Sequence, residues 1–145
     1  VSQSVKDVLL PQLKAHEGLR LKPYRCTEGK LTIGVGRNLE DRGITEDEAL
    51  YLLANDVDDV LKRLQEVSVF NQLDTARQAV LANMAFQLGF SGLSKFRRMW
   101  AALETEHYDQ AAMEMMNSRW AVQTPNRAYQ LSVMMREGND AKQSE

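Results

Sequence analysis

The chain has 145 residues, 43% hydrophobic and 26% charged, with 8 Gly and 3 Pro, the make-up of one globular domain rather than a disordered or collagen-like chain. Eighteen Lys and Arg against twenty Asp and Glu leave a formal charge of −2, so no global positive field draws it to nucleic acid, anionic lipid or acidic glycans. No run approaches the roughly 18 to 20 apolar residues of a membrane span, and no signal-peptide pattern opens the sequence. One cysteine, Cys26, and two histidines allow no internal disulfide and no zinc spacing, so packing alone must stabilise the fold and no metal is expected.

Val1 to Val8 carry a weak apolar pattern. Pro11, which suits a helix's opening turn, predicts a short helix from there to about Glu17, with Gly18 as a left-handed cap. Tyr24, Thr27, Leu31, Thr32, Ile33 and Val35 favour extended backbone, and Thr27-Glu28-Gly29-Lys30 reads as a turn between two strands. Gly34 and Gly36 either relieve crowding or let another group approach the backbone closely. Thr45-Glu46-Asp47-Glu48 is a capping box, and Leu50, Leu53, Val57, Val60, Leu61 and Leu64 extend a helix to about Gln65.

A more apolar helix is expected from about Asp74 to Gln87, with Gly89 as its stop. Shorter helices follow over 95–103, 108–117 and 126–137, the last with Thr124 as cap, Pro125 in its first position and Gly138 past its end. Met113, Met115, Met116, Met134 and Met135 read as core filler, and the tail 139–145 as frayed. The pattern predicts a single α+β domain over 1–145, mostly helical. It comprises a small hairpin lobe at about 10–43, a long connecting helix at about 45–65 and a helical lobe at about 66–138, with a cleft between the lobes expected to hold ligand. Glu17, at a helix C-terminus, faces the negative end of the dipole, which would raise its pKa and suit a general acid.

His16-Glu17-Gly18-Leu19-Arg20-Leu21-Lys22-Pro23-Tyr24, Thr27-Glu28-Gly29 and Thr32-Ile33-Gly34-Val35-Gly36 closely resemble the catalytic opening of the phage-type lysozymes, endolysins typified by the T-even phage enzyme. Ile44-Thr45-Glu46-Asp47-Glu48-Ala49, Phe86-Gln87-Leu88-Gly89, Ser118-Arg119-Trp120 and Gln123-Thr124-Pro125-Asn126-Arg127-Ala128 follow in the family's order. The family pattern is Glu, eight residues, Asp or in some members Cys, five residues, Thr, and it falls on Glu17, Cys26 and Thr32. By this resemblance Glu17 protonates the leaving glycosidic oxygen, Thr32 helps hold the attacking water, and Cys26 occupies the second-carboxylate position. An oxocarbenium-like transition state needs an acid on one face and an anion or base on the other. Cys26 departs from the commoner Asp, because a thiol of pKa near 8.5 is only partly ionised at pH 7; its alternative reading is a small residue packed in the hairpin.

The resemblance further implies that Gly36, Phe86, Gln87 and Arg119 line the glycan groove, although Phe86 suits a core equally well and Trp120 suits packing. It gives Arg127 the role of supporting Glu17 across the cleft. The implied activity is hydrolysis of the β-1,4 bond between N-acetylmuramic acid and N-acetylglucosamine in peptidoglycan, without cofactor, by a monomer acting in host lysis. Such an endolysin would accumulate in the host cytoplasm and reach the wall through a separately encoded holin-type pore. Rival readings are a lytic transglycosylase and a non-catalytic peptidoglycan-binding protein disabled at position 26. The eight residues between Gly36 and Thr45 are fewer than in the T-even enzyme, so a trimmed small lobe is expected.

Overall fold

A computed structural model describes residues 3–139. Two compact units are distinguished, Val1–Tyr51 and Leu52–Glu145. Among the described residues there are eight helices and one three-stranded antiparallel sheet, an α+β fold dominated by helix.

The first unit opens with α1 (Gln3–Glu17), so Pro11 lies inside the helix and does not start it. A mid-helix proline removes a ladder donor and is ordinarily costly, which is why the sequence suggested a later start; here the helix runs through it. It stops as expected, with Gly18 at φ 81 donating its amide to Lys14 O at 2.9 Å. The strands β1 (Arg20–Arg25) and β2 (Leu31–Gly34) pair antiparallel, with Tyr24 opposite Thr32, Arg25 opposite Leu31 and an irregularity between Arg20 and Tyr24. Their turn is closed by the Gly29 amide on Cys26 O at 2.8 Å, Gly29 having φ 78.

A third strand, β3 (Arg37–Asn38), pairs with β2 through Thr32–Asn38 and Ile33–Arg37. It makes β2 the central strand and leaves Thr32 only 4% exposed. Two residues carry no detectable alternation, so this strand was invisible in the sequence.

The helix α2 (Glu46–Leu64) starts at the expected capping box, with the Thr45 amide donating to Glu48 Oε1 at 2.8 Å and the Glu48 amide to Thr45 Oγ1 at 3.2 Å. The boundary between the units falls within α2. The second unit continues with α3 (Ser68–Gln72), α4 (Thr75–Ser94), α5 (Arg97–Glu104), α6 (Tyr108–Met116), α7 (Arg119–Gln123) and α8 (Pro125–Glu137). Its core includes Leu64, Phe70, Leu81, Met84, Leu103 and Met135, all at most 2% exposed.

Two expectations for this unit need correction, two short helices were not anticipated, and Thr124 holds its expected cap position by its backbone alone. Gly89, at φ 77 and ψ 162, breaks the helical path but helix resumes to Ser94. The five-residue helices α3 and α7 are too short to show a period. Met115 and Met135 are buried, but Met113 and Met116 are exposed. Thr124 precedes α8 without capping it through its side chain, the hydroxyl donating instead to Trp120 O at 3.0 Å.

The C-terminal end of α8 is tied to the start of α4. Arg77 donates from Nε to Met135 O at 2.6 Å and from a terminal nitrogen to Arg136 O at 2.8 Å, pairs with Asp74 at 3.1 Å, and stacks on Tyr108. Asn139, expected to fray, donates its amide to Asp74 and accepts the Ala76 amide through its side chain. Residues 140–145 of the expected tail lie outside the described residues.

Candidate active site

Glu17 is the last residue of α1, and its carboxylate lies against the backbone of Gly36: a Cβ built at Gly36 would sit 3.1 Å from Glu17 Oε2. Gly36 also has φ 66. The choice left open by the sequence is thereby settled, since the group that approaches this glycine is the carboxylate itself. Any side chain here would press on Glu17 and hold a left-handed backbone at a cost.

Cys26 and Thr32 meet through a shared acceptor. The carbonyl of Lys30 accepts the Cys26 amide at 3.0 Å and the Thr32 hydroxyl at 2.9 Å. The backbone amide of Glu28, then that of Lys30, hydrogen-bonds the Cys26 sulfur and holds the thiol below its ordinary pKa. Desolvation and the Glu28 charge oppose this shift. The turn following β1 thus favours a thiolate chiefly by the same amide donation that stabilises carboxylates. The direction of the shift favours the anion relative to an ordinary thiol.

A second carboxylate network fastens β3 to α2. Arg37 donates two bonds to Glu48, at 2.7 and 2.5 Å, and a third to Gly43 O at 3.1 Å. Donation from Arg37, then from the Thr45 amide, lowers the Glu48 pKa to about 2.

The other candidates belong to the second unit. Gln87 Oε1 accepts the Trp120 indole N–H at 2.8 Å, and Trp120 is 4% exposed with its ring edge-on to Phe96, so this tryptophan serves packing. Phe86 is 46% exposed, which removes it from the core. It lines a groove of about 470 Å³ with Leu53, Val57, Ala82, Asn83 and Arg127. Arg127 donates from Nε and a terminal nitrogen to Asn83 Oδ1, at 2.9 and 2.7 Å. Asn83 carried no sequence signal, because it is one of several amides scattered along an apolar helix. Arg119 lines a separate cavity of about 490 Å³ with Lys95, Arg97, Arg98 and Glu114.

Among the described residues no three His, Cys, Asp or Glu side chains are placed to hold a metal ion, and no helix is long and apolar enough to cross a membrane. Residues 14–136 match the family described as Phage lysozyme. The chain is 31% identical to "Probable T4-type lysozyme 2" of Dictyostelium discoideum, over 86% of this chain and 89% of that protein. It is 30% identical to the "Pre-baseplate central spike protein Gp5" of Enterobacteria phage T4, over 88% of this chain but 27% of that protein. The "Peptidoglycan hydrolase gp36" of Pseudomonas phage phiKMV is 29% identical over 81% of this chain and 14% of its own length.

Proposed function

Because the chain belongs to the phage lysozyme family, we propose that it hydrolyses the β-1,4 bond between N-acetylmuramic acid and N-acetylglucosamine in bacterial peptidoglycan, with Glu17 as the general acid. The observation that carries this reading is the pairing of Cys26 and Thr32 on one carbonyl within the same compact unit that sets Glu17 against Gly36. Glu17 gives its proton to the glycosidic oxygen as the bond to the anomeric carbon breaks. Water then bonds to that carbon and gives up one proton to bulk water, and Glu17 regains one from bulk water, so the net reaction adds one water across the broken bond. The Thr32 proton is directed to Lys30 O, so its lone pairs are free to accept a hydrogen from the water and leave a water lone pair for attack. Cys26 as thiolate supplies the negative charge that an oxocarbenium-like transition state attracts.

The roles of Gly36, Phe86, Gln87 and Arg119 toward the glycan, and of Arg127 in supporting Glu17, rest on the family resemblance. Mass spectrometry of digested peptidoglycan tests the reaction: hydrolysis leaves reducing muramic acid ends, whereas anhydro-muramyl ends would replace hydrolysis by lytic transglycosylation. We extend the proposal to host lysis by a monomer held in the cytoplasm and released by a separate holin-type pore, again on resemblance. Protease protection in intact cells that ends when the pore opens is the expected result; protein outside the inner membrane without any pore would overturn it.

A further inference from the structure

We propose that Glu40 is a positioning residue that holds Cys26 and Thr32 in register by clamping the two residues that precede them. The inference rests on the reading of Cys26 and Thr32 as working groups. Glu40 Oε1 accepts the Leu31 amide at 3.0 Å and is paired with the Arg25 guanidinium. Arg25 and Leu31 face each other across β1 and β2, and each lies one position before a candidate group. Arg25 donates also to Gly29 O at 3.1 Å, so the clamp reaches into the intervening turn.

The geometry explains why a carboxylate is needed there. The strand β3 ends at Asn38, and Leu39 still donates its amide to Leu31 O at 2.8 Å. The Leu31 amide would next meet no strand partner, and the Glu40 side chain takes that place. The turn in question contains the Glu28 and Lys30 amides that hydrogen-bond the Cys26 sulfur. Glu28, Lys30 and Asp41 are the other charged groups around it, Lys30 reaching Asp41 at 3.5 Å. Donation from the Leu31 amide, then from Arg25, keeps the Glu40 carboxyl below its usual pKa, so the clamp stays ionised near neutral pH. An ion pair this exposed adds little to folding stability; its effect belongs to the geometry of the turn.

The test is iodoacetamide alkylation of Cys26 across pH, together with kcat and KM on peptidoglycan, in the full chain and its Glu40→Ala and Glu40→Gln variants. Loss of the clamp loosens the amides from the sulfur, so Glu40→Ala should move the alkylation midpoint upward. Removing a nearby negative charge would by itself move it downward, and the sign separates positioning from electrostatics. We expect kcat to fall about tenfold or more with KM within about twofold. Glu40→Gln retains an acceptor for the Leu31 amide and should recover most of both. Should Glu40→Ala fail to fold, Glu40→Asp, one methylene too short to reach both donors, replaces it. An alkylation midpoint unchanged or lowered in these variants overturns the inference. Because alkylation does not depend on turnover, a fully active Cys26→Ala would refute the catalytic reading of Cys26 and leave the clamp's hold on the turn separately measured.

Discussion

Position 26 carries a thiol whose ionisation is favoured by the amides of the turn it begins, Glu28 first. Alkylation should therefore reach half its limiting rate below the ordinary thiol value of about 8.5. Cys26→Asp should keep substantial activity and Cys26→Ala should lose most of it; a fully active alanine variant would exclude Cys26 from the reaction. Gly36→Ala should lower turnover at least about tenfold while costing only about 1 to 2 kcal/mol of stability for its left-handed backbone, because the new methyl meets Glu17 Oε2. Parent-like turnover in that variant would show that the carboxylate has room to move. Glu17, Cys26 and Thr32 were singled out in the sequence because their spacing is that of a family pattern. That Gly36 faces Glu17 was not, since the approach of two segments distant in sequence leaves no periodic trace in either.

Among the elements, α2 was legible to within a residue, because its capping box and apolar repeat state where it starts and how far it runs. What the sequence could not say is that Arg37 of β3 would grip the same carboxylate that caps α2. The Glu48 pKa falls from 4.5 unfolded to about 2 folded. A depressed carboxyl stabilises the fold at pH values above its unfolded pKa and loses that contribution as pH falls toward its folded pKa. The difference in melting temperature between the parent and Glu48→Gln should thus be full above about pH 4.5 and shrink toward pH 2. Thermal melts at pH 6, 4 and 2.5 check this, and a pH-independent difference would refute the ionic grip. The misplaced start of α1 has the opposite origin: Pro11 is a strong local signal that the surrounding helix overrides.

At the scale of the whole molecule, the α+β class and the order of the main helices follow from sequence periodicity. The closure of the second unit does not, because it depends on Arg77 and Asp74 meeting residues near the end of α8. Their side chains are 13% and 22% exposed, so Arg77→Ala leaves the Met135 and Arg136 carbonyls and Asp74 Oδ1 without the donor they share. Its expected cost is about 2 to 4 kcal/mol, between a surface and a fully buried pair, read as a lowered urea midpoint. A cost under about 0.5 kcal/mol would reduce the tie to a surface contact. In the proposed reaction this chain cleaves peptidoglycan with Glu17 as its acid. The most direct measurement is the release of reducing ends from purified peptidoglycan by the parent and by Glu17→Gln, with melting curves to show that both are folded. Release by the parent and a loss of about a hundredfold or more in the folded variant are expected; equal release by both, or none by the parent, would rule out Glu17 as the acid of a peptidoglycan hydrolase.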